Sequence, residues 1–213
     1  MLLEMTALIP SEAPLIGRRD LWRRLGALTL GAGVLDALVP NVAAAQPRAG
    51  SREPVLLLPG EGERGRIGAN DIQFKLTGEH TDGLLASMEA TLAPGFLGAP
   101  PHLHRGIDEV AFVLEGELTV LVEEQPYAVP AGGWHLRPRG LVHTFWNGGA
   151  VPVRFVEIYL PASHEGYMRE LAALFVDGGS PPPGALAELA SRYDIEFAWD
   201  RLPAIMERYG VRL

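Results

Sequence analysis

The chain has 213 residues, a formal net charge of −8 and no cysteine. That length suits one domain with a real core plus appendages, and it is short for two full domains. Disulfides, thiolate-held zinc, iron–sulfur clusters and thiol catalysis are excluded, and with no basic run beyond residue 24, nucleic acid and anionic membrane surfaces are poor partners. The 25 glycines and 18 prolines predict many turns and short elements, hence a β-rich body.

The first fifty residues are organised differently from the rest. Arg18, Arg19, Arg23 and Arg24 precede an apolar, small-residue run over residues 25–38, interrupted by Asp36. The following "VAAAQ" offers a small-residue cleavage site, with the cut after Ala45. This resembles a twin-arginine export signal with Arg18 and Arg19 as its pair. Residues 1–45 are therefore expected to be a removable or disordered segment, and the protein periplasmic or secreted. An amphipathic N-terminal helix on a cytoplasmic protein is the alternative. The uncharged apolar stretch is too short for a stable membrane span.

From residue 54 to 160, short strand-like runs recur between turns. "NDIQFKL" alternates, with Ile72, Phe74 and Leu76 on one face. "DEVAFVLEGELTVLVEE" reads as two strands joined by a tight hairpin at Gly116. "VPVRFVEIYL" is rich in β-branched and aromatic residues. No helical segment separates the strands, so an all-β sandwich or small barrel is expected rather than a parallel α/β fold.

Within this region "PHLHRGIDEV" places His102 and His104 on one face of an extended segment, with Glu109 beyond the bend that Gly106 permits. His143 opens a later strand, just past a Pro-x-Gly turn. If that strand lies across from the first, three imidazoles and a carboxylate converge. Such a nitrogen and oxygen set suits Fe, Mn, Ni, Co, Cu or Zn, with room for water or substrate. The competing reading of each histidine alone is a surface or hydrogen-bonded residue.

The tail, residues 161–213, reads as helical. Tyr167, Met168, Leu171, Leu174 and Phe175 form an apolar stripe, with Ser163 as its cap. Two more short helices follow. All are expected to pack on the outside of the body or across a dimer interface, and His164 to face solvent or take part in this docking rather than bind metal.

At the histidines the chain resembles the cupin family. The first motif of that family is a Gly, five residues, HxH, three or four residues, Glu, six residues, Gly. His102, His104, Glu109 and Gly116 match it, while Phe96 stands where the leading Gly belongs. The second motif is matched throughout by Gly132, Pro138, Gly140, His143 and Asn147. The resemblance implies a double-stranded β-helix, a jelly-roll barrel, over residues 54–160 with short C-terminal helices. It implies His102, His104, Glu109 and His143 as ligands of a divalent transition metal, and Asn147 as a turn residue.

The stretches "ASHEGYMRELA" and "LASRYDIEF" are similar to the tails of single-domain bacterial cupins of the flavonol (quercetin) dioxygenase-like kind. That likeness implies O2-dependent oxidation of a small aromatic or enolisable substrate, with Glu109 also taking the substrate proton. Glu109 can do so only if burial raises its pKa. Candidate pocket residues are Met88, Phe112 and Phe145, with Leu84, Trp134 and Phe155 weighed beside them. The alternatives are a metal-dependent cupin isomerase or decarboxylase, or a non-catalytic small-molecule-binding cupin. A homodimer is expected, because exposed strand edges need cover.

Overall fold

The computed structural model describes residues 53–175 and 181–213. The segment assigned to export lies outside the described residues. In chain order the elements are β1 (Arg64–Ile67), β2 (Asn70–Phe74), α1 (Gly78–Thr81), β3 (Ala86–Leu92), β4 (His102–Leu103), β5 (Asp108–Glu115), β6 (Glu117–Val122), β7 (Gln125–Pro130), β8 (Trp134–Arg137), β9 (His143–Trp146) and β10 (Val153–Leu160). Then come α2 (His164–Ala173), α3 (Ala185–Ala190), β11 (Glu196–Phe197) and α4 (Leu202–Tyr209).

The strands form two antiparallel sheets. One runs β1-β2-β3-β10-β5-β8 and the other β11-β4-β9-β6-β7. The end strands of neither sheet pair with each other, so neither closes, and the jelly-roll barrel expected from the sequence is replaced by two open sheets. The reason is visible at Gly116. The sequence reads as a hairpin there, yet β5 pairs with β10 and β8 while β6 pairs with β7 and β9. Gly116 has φ +77°, and a Cβ on it would lie 3.2 Å from the Pro152 carbonyl oxygen. The glycine thus turns the chain out of one sheet into the other with a positive φ that other residues rarely adopt, at a spot where a side chain would crowd Pro152.

Period-two alternation sets the interior. Phe155, Glu157 and Tyr159 of β10, Ala86, Met88, Ala90 and Leu92 of β3, and Glu109, Ala111 and Val113 of β5 all point inward. Leu118 and Val120 of β6 and Phe145 of β9 meet them from the second sheet in one core. The register aligns Glu109, Tyr159 and Ala86 across three neighbouring strands. A carboxylate therefore sits in the row that would otherwise be apolar.

The helices are more than short C-terminal pieces, which corrects the second half of the fold expectation. α1 falls between β2 and β3 and is closed by a capping box from Thr77. α2 buries His164, Tyr167 and Leu171, and a Cβ on Gly65 of β1 would come within 3.2 Å of Ala172. The tail also returns to the sheets, because β11 pairs with β4 and sets Phe197 opposite His102. Ser163 makes no capping hydrogen bond; instead Glu165 accepts one from the Gly78 backbone at 2.7 Å. Among the described residues no helix is long and apolar enough to cross a membrane.

Candidate metal centre

His102 and His143 are direct cross-strand partners on β4 and β9, so their rings lie 4.4 Å apart. His104 follows two residues after His102 and is fully buried. Glu109 arrives from β5 of the other sheet, opposite Arg137 of β8. One donor atom from each of His102, His104, Glu109 and His143 falls within 4.8 Å of the others, and all four residues are buried.

Each imidazole is oriented by the backbone. His102 Nδ1 lies 2.8 Å from the Pro100 carbonyl, His143 Nδ1 lies 3.0 Å from that of Leu141, and His104 Nδ1 bonds to that of Asp194. A carbonyl accepts only, so each Nδ1 carries the proton and leaves Nε2 as a lone pair in the neutral ring. The Asp194 carboxylate also accepts from the backbone N–H groups of Arg105 and Gly106, at 2.9 and 2.7 Å, and so pins the loop after His104.

The Nε2 atoms of His104 and His143 are buried with no hydrogen bond, and each lies 3.2 Å from a Glu109 oxygen. Two neutral lone-pair donors and an anion held this closely repel unless a positive charge, a metal ion or a proton, stands among them. Ligand atoms about 2.0–2.2 Å from one ion are spaced about 3–4 Å from each other, which matches this cluster. The residues therefore form a site for a divalent transition metal.

The charges around the site support that assignment. Burial pushes the Glu109 carboxyl up, but the Arg137 charge and the contacts from His104 and His143 outweigh it and hold it well below the usual carboxylate range. Arg137 Nη1 lies 3.3 Å from Glu109, while Nη2 bonds to Glu157. One buried guanidinium thus serves two buried carboxylates. The second gives way: burial pushes Glu157 up to about 8, with Arg137 pulling it down and the Glu109 charge adding to the rise. Glu109 is consequently a fixed anion, and the raised pKa that a proton-accepting role requires is found on Glu157. Burial lowers His104, yet its contact with Glu109 outweighs this and raises it overall. His102 is lowered well below the usual range by burial and the neighbouring imidazoles.

A cavity of about 630 Å³ reaches this cluster and is lined by His102 and Glu109 at the metal end. Met88, Phe145 and Phe155 line it, whereas Phe112 does not. Phe112 has the opposite parity to Glu109 on β5 and stacks on Trp134, which is itself exposed. Leu84 is exposed as well. Gly98 also lines the cavity, and a Cβ there would lie 1.8 Å from the Phe145 ring. Gly98→Ala is therefore expected to displace Phe145 and cost about 1–3 kcal/mol by overpacking, read as a lower midpoint in urea unfolding; an unchanged midpoint would show that the ring moves freely.

His164 takes the docking alternative of its two expected places and stands outside the ligand cluster. It opens α2, is buried, and its Nε2 lies 3.9 Å from a Glu109 oxygen, with its ring 4.5 Å from that of His104. Burial pushes it down to about 3. Between pH 6.5 and that value the unfolded chain takes a proton here and the native chain does not. This stability is therefore complete above pH 6.5 and lost as pH falls, at roughly 1.4 kcal/mol per unit. In the metal-free protein, the loss from pH 7.5 to 5.5 should exceed that of His164→Phe by about 1 kcal/mol in urea unfolding. Equal losses would contradict the burial assigned to this ring. Asn147 is a turn residue, with its amide donating to the carbonyls of Leu92 and Val151.

Comparison with known proteins gives a family model described as "Cupin domain", which matches residues 88–159. Nectarin-1 of Nicotiana plumbaginifolia is 39% identical over 75 residues, covering 32% of this chain and 31% of that protein. The chain thus spans about a third of the length of that relative. Among solved structures, a predicted oxalate decarboxylase from Thermotoga maritima is 19% identical with a TM-score of 0.47, covering 50% of this chain and 99% of that one. KdgF from a Halomonas species is 14% identical with a TM-score of 0.45, covering 51% and 94%.

Proposed function

The chain is a member of the cupin superfamily, and on that premise we propose that it is a metal-dependent enzyme of the isomerase or decarboxylase kind, acting on a small, largely apolar molecule with a polar head. The observation that carries this is the four-ligand cluster, with its unpaired, buried imidazole nitrogens, at the end of an apolar cavity.

A bound transition metal would supply Lewis-acid polarisation of a substrate oxygen, and redox chemistry if the ion is redox-active. The rest is done by the protein. His102, His104, His143 and Glu109 hold the ion, and the backbone carbonyls of Pro100, Asp194 and Leu141 fix the three rings. Arg137 keeps Glu109 charged and aimed. Met88, Phe145 and Phe155 offer apolar surface to the substrate body and exclude water from the polar end.

The charge state of Glu109 supports one reading over the other. A flavonol-type dioxygenase reading asks it to accept the substrate proton, and a carboxylate held well below its usual range is a weak base. Proton movement that does not depend on Glu109 fits better. The aromatic lining from Phe145 and Phe155 favours oxidation of an aromatic substrate as a second reading.

The test is turnover of a panel of aryl 2-oxo acids, enolisable aromatic ketones and flavonols by metal-loaded protein, with and without oxygen. Product formed equally without oxygen supports the proposal. A strict oxygen requirement replaces it with the dioxygenase reading. Stoichiometric metal with no turnover leaves a binding protein.

A further inference from the structure

We propose that His164 is a substrate-contacting residue of this site, and that it hydrogen-bonds a polar substituent next to the metal-binding group of a largely apolar ligand. The inference rests on the metal-dependent reading above and names the head group that the site selects.

His164 lines the cavity together with His102, Glu109, Glu157 and Tyr159, the polar residues around the metal end. It is 4% exposed, no hydrogen bond ties its ring to the described residues, and the ring borders the cavity rather than being sealed from it. Its Nε2 lies 3.9 Å from a Glu109 oxygen, beyond hydrogen-bond reach. An imidazole held among packed rings still needs a hydrogen-bond partner, and the cavity is the side from which one can be supplied.

The ring is also held still. Tyr159 and Tyr167 pack on it, with centroids 4.7 and 5.1 Å away, and the His104 ring meets it edge-on. A fixed, unpartnered nitrogen beside the ligand set can select a ligand geometrically. Because His164 is not a member of the four-residue cluster, its contact adds discrimination without altering the ion's ligands. The group it meets must be a hydroxyl, carbonyl or amine adjacent to the metal-binding oxygen, since the imidazole can donate or accept. The body of the ligand is apolar, because Met88, Phe145, Phe155, Leu171 and Phe175 line the remainder.

The probes are 2-naphthoate and 3-hydroxy-2-naphthoate, which share an apolar two-ring body and a carboxylate and differ by one neighbouring hydroxyl. Both are titrated by fluorescence into the full chain loaded with Zn²⁺, with zinc content measured on the same samples. Wild-type protein should prefer the hydroxylated probe by about tenfold or more. His164→Phe should keep its zinc, bind 2-naphthoate as wild type does, and lose the preference. His164→Gln, which retains hydrogen-bonding atoms, should keep part of it.

The same preference in His164→Phe, no preference in the wild type, or no binding of either probe to zinc-loaded protein would overturn the proposal. Failure of the wild type to take up zinc would instead overturn the metal-dependent reading beneath it. If His164→Phe does not fold, His164→Leu carries the same comparison.

Discussion

His104→Ala and His143→Ala should each lower bound divalent metal from about one equivalent to less than about a tenth after dialysis, by elemental analysis. Each substitution removes one of four ligands and leaves Glu109, with two remaining imidazoles, to hold the ion. Neither substitution leaves a new buried charge in the metal-free protein, because Glu109 keeps Arg137 beside it at 3.3 Å. The variants should therefore stay folded without metal and lose most of the stabilisation that added metal gives the wild type. His164→Phe is the internal control, because His164 stands outside the ligand cluster and should retain the metal. Retention of a full equivalent in both alanine variants would sink the site assignment. Metal should also leave the wild type as pH falls, because Glu109 raises the proton affinity of His104 and protons then compete for that nitrogen.

The four ligands are brought together as their spacing in the chain implied. Two histidines at period two share a face wherever the backbone is extended, and a histidine just past a Pro-x-Gly turn begins a strand, so local rules place each side chain. The strands β2, β3, β5 and β10 were legible for the same reason. What stayed hidden depends on contacts far apart in sequence. Nothing near Gly116 says that β5 and β6 enter different sheets. Nothing near Asp194 says that its carbonyl orients His104, some ninety residues earlier. His164 reads equally as a solvent-facing helix start or part of the docking of the tail, and it is buried because α2 lies against the core beside Tyr159. Phe112 is different: its parity is opposite to that of Glu109, so strand periodicity alone already placed it on the outer face.

Arg137→Met should cost about 3–5 kcal/mol of stability in the metal-free protein, measured by urea unfolding in the presence of a chelator. The guanidinium is wholly buried and faces two carboxylates, Glu109 and Glu157, that are almost as deeply buried. Methionine fills similar space beside Phe145, whose ring now lies 5.3 Å from the guanidinium, but it leaves the Glu109 anion without a counter-charge, while Glu157, already pushed up to about 8, takes a proton. Two further measurements separate this from simple loss of packing. Glu109→Gln added to Arg137→Met should return a substantial part of the loss, because the stranded carboxylate is gone. Zinc added to Arg137→Met alone should also return part of it, because a divalent ion held partly by Glu109 would neutralise that charge. A packing defect would respond to neither. The same reasoning says why the arginine is there at all: without an ion the cluster needs one positive charge to keep Glu109 ionised and aimed, and with the ion bound that charge is left chiefly to Glu157. Loss of less than about 1 kcal/mol in Arg137→Met would mean that the carboxylates take up protons at little cost, and that Glu109 is not held as an anion by its neighbour.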